Sequence, residues 1–403
     1  MKRRGAVFIL TLVAMVAMVT LLTLAVNQNR VNLTKMRDRM ESDRARLAAE
    51  AGVAYAMALL ENQSKTLTQQ SDDWFTTGRS GADSFTFPGG SFRLQIVDSC
   101  SYIDLNTAPQ AQLQNLPLTG EQMDALLDYR ESSTTPRSDG AKDDFYHNLT
   151  NPYNTRLHPF STFDELLQVR YFTPQTLYTV QTTTTSSNAN VPTDLALYEL
   201  CQVDTLASAN GKTNINTATQ AQLTRAGIPA NVALNIIRQR PVTGYTSLGP
   251  VLAQARLSVQ QSLAFLDSFT IGTTGYRKGQ VNVNTASQDV LQTLPGFTSQ
   301  IASTIVQRQS SGITNLASLS DVQGLTTAII QQCADLLTVA SEGFIVRVVG
   351  TAGGVTKTLE GWVRIDGSHP VMYRLETPPF SDMPTRWSWA DVDNTIDLGD
   401  LQQ

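Results

Sequence analysis

The chain is poor in the residues that most often carry chemistry. Its 403 residues include only 3 Cys and 3 His. Cys100, Cys201 and Cys333 are an odd, widely spaced set, which excludes a disulfide scaffold and leaves room for one bridge whose partners the spacing does not identify. His147, His158 and His369 are too scattered for a metal cluster, and neither a Gly-x-Ser-x-Gly elbow nor a phosphate loop occurs. The chain is therefore not expected to be an enzyme. Positive charge is also scarce beyond the first fifty residues. Those fifty carry nine Lys or Arg against four Asp or Glu, whereas the remaining 353 carry 21 against 31, a net −10. A body so acidic is a poor partner for nucleic acid, whose non-specific binding needs cations against phosphates.

Apolar residues are plentiful, at 41% of the chain, enough for a sizeable core and two or three domains. They are concentrated at the start. In "MKRRGAVFILTLVAM", Lys2, Arg3, Arg4 and Gly5 stand directly against an uncharged run of 21 residues, Ala6 to Val26. At about 1.5 Å per helical residue this run matches the hydrocarbon thickness of a bilayer, and it exceeds the core of about 7 to 15 residues usual in a secretory signal peptide. No proline interrupts the continuation of the chain to Leu59, along which Met36, Met40, Leu47, Ala51, Ala54, Ala58 and Leu59 keep helical spacing. One helix of roughly 55 residues is expected, half in lipid and half outside. The basic leader favours a cytoplasmic N-terminus. An ordinary single-pass anchor with a chance glycine would share these features.

The short basic leader ending in Gly5, the apolar stretch behind it and the later "LAAEAGVAYAMALL" resemble a type IV prepilin or a type II secretion pseudopilin. The resemblance implies cleavage by prepilin peptidase between Gly5 and Ala6, with N-methylation of Ala6. Most pilin-like subunits carry glutamate at the fifth mature position, where this chain has Leu10. A lone carboxylate in a bilayer is costly and is kept only when paired, in this family with the N-terminal amine of the next subunit toward the tip. A subunit with nothing beyond it has no use for that charge. In this the chain resembles the K-type minor pseudopilin of type II secretion.

Three segments of the body repeat one pattern: "DLNTAPQAQLQNLPLTGEQMDALLDYR" from Asp104, "NINTATQAQLTRAGIPANVALNIIRQR" from Asn214 and "NVNTASQDVLQTLPGFTSQIASTIVQR" from Asn282. Counted from Asn106, Asn216 and Asn284, a leucine recurs seven on (Leu113, Leu223, Leu291) and an arginine 24 on (Arg130, Arg240, Arg308). These are internal repeats. Thr107, Thr217 and Thr285, each three residues before a glutamine (Gln110, Gln220, Gln288), fit a capping box at a helix start. The first helix then stops at Pro117, Gly227 or Pro295, and a second runs to the shared arginine, which is expected to hold helix ends or carboxylates within its module. Apolar residues at every third position come next, from Phe160, Tyr245 and Ile313, and suit a further short helix. Each repeat therefore reads as an all-helical hairpin module.

Hairpins of this kind can grip DNA, but that use needs a Gly-apolar-Gly turn backed by basic residues. The turns "LPLTGEQ", "AGIPAN" and "LPGFTSQ" lack paired glycines, and only Arg225 is basic nearby. No nucleic acid is expected, and packing or protein contact is the favoured role. Module 1 also carries a long insertion, "ESSTTPRSDGAKDDFYHNLTNPYNTRLHP", which is read as a solvated acidic loop. Members of the resembled family can bind calcium, for which Asp139, Asp143 and Asp144 would supply oxygens, although their spacing fits no EF-hand. No other cofactor is called for.

Strand patterns flank the helical block: Phe92, Leu94 and Ile96 alternate before it, and "EGFIVRVVGTAGGVTKTLEGWVRID" gives two strands after it. Sheet, helical insertion and sheet again is the order in which K-type pseudopilins are built, and the "INTA" segment leading into a module is the most specific mark of the likeness. Two modules are usual there, and this chain has three. The expected fold class is α+β, a pilin-like long helix and antiparallel sheet interrupted by a large all-helical insertion. Its parts are a leader (1–5), the membrane-spanning and pilin helix (6–62), the first part of the sheet (63–103), module 1 (104–180), a flexible linker (181–203), module 2 (204–272), module 3 (280–340), the C-terminal strands (341–375) and an acidic, disordered tail (376–403) holding Trp387 and Trp389.

The resemblance implies a minor pseudopilin that initiates or caps the tip of the type II secretion pseudopilus. It also implies a single inner-membrane span, a periplasmic body, and partners among the I-, J- and H-type minor pseudopilins. The alternatives are a type IV pilus minor pilin, which would share the N-terminus, and a membrane-tethered DNA receptor using the hairpins.

Overall fold

The computed structural model describes residues 2–403 except 79, 80, 82, 181–190, 193, 379–386, 388, 390–393 and 398–403. Helix α1 runs unbroken from Lys2 to Leu59, 58 residues, as the absence of any proline before Pro88 allows. Its last third lies on a six-stranded sheet made of β1 (Asp83–Phe87), β2 (Gly90–Asp98), β3 (Gly343–Ala352), β4 (Val355–Asp366), β5 (His369–Glu376) and β6 (Asn394–Asp397). The order across the sheet is β5-β4-β3-β2-β1-β6, antiparallel throughout except that β6 runs parallel to β1. The two central strands, β2 and β3, are joined only through the entire helical block.

Helix and sheet approach closely because the contact residues are small. Ala45, Ala48, Ala49 and Ala56 are wholly buried. A Cβ on Gly350 would overlap the backbone at Ala45 O and Ala49 N, and one on Gly52 would stand 2.6 Å from Val348 Cγ1 and 2.8 Å from Phe92 Cδ2. Phe92, Leu94 and Ile96 all point into this core, together with Trp74, Phe344 and Val346. The "GTAGG" stretch turns β3 into β4 with Gly353 and Gly354 both at positive φ.

The helical block forms one continuous core across all three repeats. Module 2 shows the plan. A hairpin (Gln220–Arg225 and Ala230–Arg238) is followed by a third helix (Gly249–Ala255) and a fourth (Val259–Ser268). Module 3 is built alike from Gln288–Gln292, Ser299–Gln309, the 3₁₀ turn Leu316–Leu319 and Thr327–Gln332. Module 1 has Gln110–Leu113, Gly120–Arg130, the 3₁₀ turn Phe163–Gln168, Pro174–Tyr178 and Leu197–Leu200.

Four expectations need correction. The modules are not all-helical: each is closed by a parallel pair of two-residue strands joining its entry to its exit, Ile103–Asp104 with Cys201–Gln202, Thr213–Asn214 with Phe269–Thr270, and Val281–Asn282 with Leu337–Thr338. Residues 181–203 are consequently not a linker between modules. Residues 181–190 lie outside the described residues, but Leu197, Tyr198, Leu200 and Cys201 are buried, and the last of them closes module 1, which therefore extends from 103 to 202. The helix starts are capped two residues later than expected. Helices begin at Gln110, Gln220 and Gln288 themselves, so the capping position falls to Pro109, Thr219 and Ser287, with the true capping box at Thr219 and Gln222. Lastly, the segment expected as a disordered tail holds a buried Trp387 and strand β6, because two large aromatic side chains find room between the sheet and module 1.

Candidate functional site

Two features stand out as able to do work: the bare part of α1 and the device that locks the modules to the head. Between Phe8 and Met40 α1 stands clear of the body, and it is the one helix among the described residues long and apolar enough to cross a membrane. Phe8, Ile9, Leu12, Val13, Met15 and Val16 are all exposed. Its hydroxyls are satisfied within the helix, Thr11 donating to Phe8 O at 2.9 Å, Thr20 to Ala17 O at 2.8 Å and Thr23 to Val19 O at 2.8 Å. A surface of this kind suits lipid or neighbouring helices, where backbone and hydroxyl groups have no water to turn to. Leu10 sits on it, 73% exposed. Gly5 and Ala6 fall within the helical backbone, as do Lys2, Arg3 and Arg4.

The repeated asparagines are structural clamps. In each repeat the side chain mimics a strand, accepting from a backbone N–H and donating to the C=O of the same residue. Asn284 accepts from Ile313 N at 2.8 Å and donates to Ile313 O at 2.9 Å. Asn216 does the same to Tyr245 at 2.7 and 3.0 Å, and Asn106 to Phe160 at 2.7 and 2.9 Å. The residue two before each asparagine holds it in place: Asp104, Asn214 and Asn282 accept from the N–H of Asn106, Asn216 and Asn284. The motif thus ties the module entry to the start of its third helix.

The repeated arginines act within their modules, though not identically. Arg130 donates to Leu105 O and Ala108 O, and Arg240 to Ala218 O at 2.9 Å, closing the hairpin at its base. In module 3 that place is taken by the next residue, Gln309, which reaches Val283 O at 2.9 Å and Ala286 O at 2.7 Å. Arg308 turns outward to pair with Asp321.

At the root of the block, Asp98 at the end of β2 gathers partners from distant segments. Its carboxylate accepts from Asn282 Nδ2 (2.8 Å), Thr285 Oγ1 (2.7 Å), Ser341 Oγ (2.8 Å) and Cys100 N (2.8 Å). Complete burial raises its pKa from the usual carboxylate value, and these donors oppose the rise. A second buried polar group lies on the sheet, where Arg347 pairs with Glu360 at 3.0 Å and donates to Tyr198 Oη of module 1 at 3.1 Å. Trp387 lies over that guanidinium and donates to the same phenol at 2.7 Å, while Trp389 donates to Gln95 at 3.0 Å. Sheet, module 1 and C-terminal segment meet there. Sequence reasoning missed both groups, because nothing local marks residues such as Asp98 and Asn282, 184 positions apart, or Arg347 and Tyr198, 149 apart, as neighbours.

The aspartates considered for calcium do not converge. Asp143 accepts from Thr155 N at 2.7 Å and stands beside Lys142, and the backbone N–H of Asp139 donates to Asp124. Among the described residues no group of three His, Cys, Asp or Glu is placed to hold a metal ion. All three cysteines are buried free thiols, their pKa raised by burial.

Comparison with known families matches residues 107–185 to the type II secretion system (T2SS), protein K model, and residues 277–338 to the helix-hairpin-helix motif. Among solved structures, the chain is similar to one in the crystal structure of the GspK-GspI-GspJ complex from the type 2 secretion system of enterotoxigenic Escherichia coli. The likeness is 15% in identity with a TM-score of 0.45, covering 86% of this chain and 100% of that one. Comparison with curated sequences gives no significant match.

Proposed function

We propose that this K-type minor pseudopilin of type II secretion starts or caps the tip of the pseudopilus. The observation that carries the proposal is Leu10. It lies on the fully exposed, uncharged part of α1, where a subunit paired on both sides would present a carboxylate. The precursor is held in the inner membrane by Ala6 to Val26, with Lys2, Arg3 and Arg4 on the cytoplasmic side. Prepilin peptidase cuts between Gly5 and Ala6, Ala6 is methylated, and α1 moves into the filament while the sheet and modules remain in the periplasm. Accepting a neighbour from below and lacking the group that pairs upward, the subunit ends the filament, joined there by the I-, J- and H-type minor pseudopilins.

N-terminal mass spectrometry of the full-length protein, expressed in membranes with and without a prepilin peptidase, tests the processing. A methylated peptide beginning at Ala6, appearing only with the peptidase, is expected. An unprocessed start under both conditions would reduce the chain to a plain membrane anchor. The tip position is tested by gold labelling of isolated pseudopili. Label confined to one end is expected, and label along the whole length would overturn it.

A further inference from the structure

Modules 2 and 3 exchange the same contact in both directions. Counted from Asn216 and Asn284, Asp267 and Asp335 both stand 51 residues on, at or just beyond the end of the fourth helix, and Leu248 and Leu316 both stand 32 on, at the start of the third. Asp267 of module 2 reaches into module 3, accepting from Leu316 N at 2.9 Å and Ala317 N at 3.1 Å. Asp335 of module 3 reaches into module 2, accepting from Leu248 N at 3.0 Å and Ser247 Oγ at 2.6 Å. The first N–H groups of a helix have no partner within it, and the helix that follows Leu248 has no side-chain cap of its own. Each module therefore supplies the carboxylate that the other module's third helix lacks.

The packing has the same reciprocity. The third helix of module 2 (Gly249–Ala255) lies against the fourth of module 3 (Thr327–Gln332), the fourth of module 2 (Val259–Ser268) against the third of module 3 (Leu316–Leu319), and the two fourth helices against each other. The surfaces are so close that a Cβ on Gly249 would stand 2.5 Å from Gln331 O. A cation from each module's own entry steadies each carboxylate. Arg277 donates to Asp335 at 3.1 Å, and Lys212, which attracts Asp267, donates to the adjacent Leu266 O at 3.0 Å.

An interface in which residue i of one unit meets residue j of the other, and j meets i, is isologous, and two copies close it. We infer that modules 2 and 3 form an internal dimer: the repeat carries one self-complementary surface, its partner is the other copy of the repeat, and the additional module serves to complete module 3. Counted from Phe160 as from Tyr245 and Ile313, the corresponding place in module 1 is Thr182, which has no carboxylate and lies outside the described residues. The repeat without the acid is the one left out of the exchange.

Hydrogen–deuterium exchange of the full-length protein in detergent micelles, read by mass spectrometry of its peptides, tests the pairing through effects that cross from one module to the other. Asp335→Ala, in module 3, should speed exchange in module 2 at Gly249–Ala255 about tenfold or more, the worth of hydrogen bonds to a charged group. Asp267→Ala, in module 2, should do the same in module 3 at Leu316–Leu319. Gly249→Ala removes no polar group but wedges the same surface, and it should loosen Thr327–Gln332 on the far side. In all three variants the module 1 helix Gly120–Arg130 should keep its wild-type rate, which also confirms that the variants fold. Unchanged exchange in the module opposite each substitution, or an even rise through all three modules, would overturn the inference.

Discussion

If the repeated asparagine is what clamps each module, Asn284→Ala should be among the most damaging single changes in the helical block. Asn284 is wholly buried, and its two bonds go to the N–H and C=O of Ile313, itself 3% exposed. Truncation leaves both backbone groups buried and unpaired, at about 1–3 kcal/mol each, so roughly 2–6 kcal/mol is expected in total. Asn216→Ala deletes the equivalent bonds to Tyr245, but Asn216 is only half-buried and water can replace its amide. There the loss should be nearer 1–2 kcal/mol, the net worth of two ordinary hydrogen bonds. Urea unfolding of the full-length protein in detergent micelles, followed by tryptophan fluorescence, reads the difference. With a slope near 3 kcal/mol per molar, Asn284→Ala should lower the midpoint by about 1 M and Asn216→Ala by about half that or less. Equal small shifts, or a larger effect at Asn216, would refute both the clamp and the argument from burial.

Three more outcomes are expected from the same geometry. Gly350→Ala should lower stability by at least about 1–3 kcal/mol, because its Cβ would overlap backbone atoms of α1 that cannot rotate away; Gly120→Ala, with open space around it, should be nearly neutral in the same thermal melts. Arg347→Ala should cost about 3–5 kcal/mol by stranding Glu360 in the sheet, and adding Glu360→Leu should recover part of that loss in a double-mutant cycle. Burial holds the Asp98 pKa above its unfolded value, so the folded state takes up this proton first. Wild type should therefore gain stability relative to Asp98→Asn as pH falls through the folded pKa, the gain being complete below the unfolded value near 3.9. A relative loss of wild-type stability on acidification would show that the donors around Asp98 outweigh its desolvation.

How much of the fold is legible in the sequence depends on whether the signal is periodic or distant. The unbroken α1, the strands either side of the helical block and the three repeats all leave regular patterns, and each stands where its pattern places it. Residues such as Phe160, Tyr245 and Ile313 show in the sequence only as the start of a third helix, whereas they also receive the asparagine clamp, because a side chain imitating a strand has no periodicity to detect. The capping residues differ from expectation by two positions for a related reason. Thr107, Thr217 and Thr285 satisfy the box by spacing, but the chain is still turning there, and the cap falls to the residue next to the helix start, the hydroxyls of Thr219 and Ser287 in modules 2 and 3 and Pro109, which has no side-chain cap bond, in module 1. The 181–203 segment and the C-terminal tail look polar and unstructured locally. Within their described residues, Cys201 pairs with Ile103 and Trp387 packs over Arg347, contacts between residues far apart in sequence.

The closing strand pairs explain how so large a block can interrupt a sheet without disturbing it. Each module enters and leaves through paired residues of a parallel ladder, Thr213 with Phe269 in module 2 and Val281 with Leu337 in module 3, so its two ends lie side by side. A unit whose ends meet can be inserted into a connection at little cost in loop closure, which grows only slowly with length. The same property lets units be added in series. Module 2 begins just after module 1 closes at Gln202, and module 3 ends at Thr338, beside Ser341 and the Asp98 carboxylate that returns the chain to β3. Asp98 is bound by Asn282 and Thr285 of module 3, and the sheet's Arg347 by Tyr198 of module 1. The first and last modules are thus fixed to the head, and module 2 makes neither contact. Module 2 is tied to the head at its entry instead, where Leu206 O accepts from the N–H groups of Glu342 and Gly343 and Ser208 Oγ donates to Glu342 at 2.9 Å, so every module is fixed close to the point where the chain returns to the sheet.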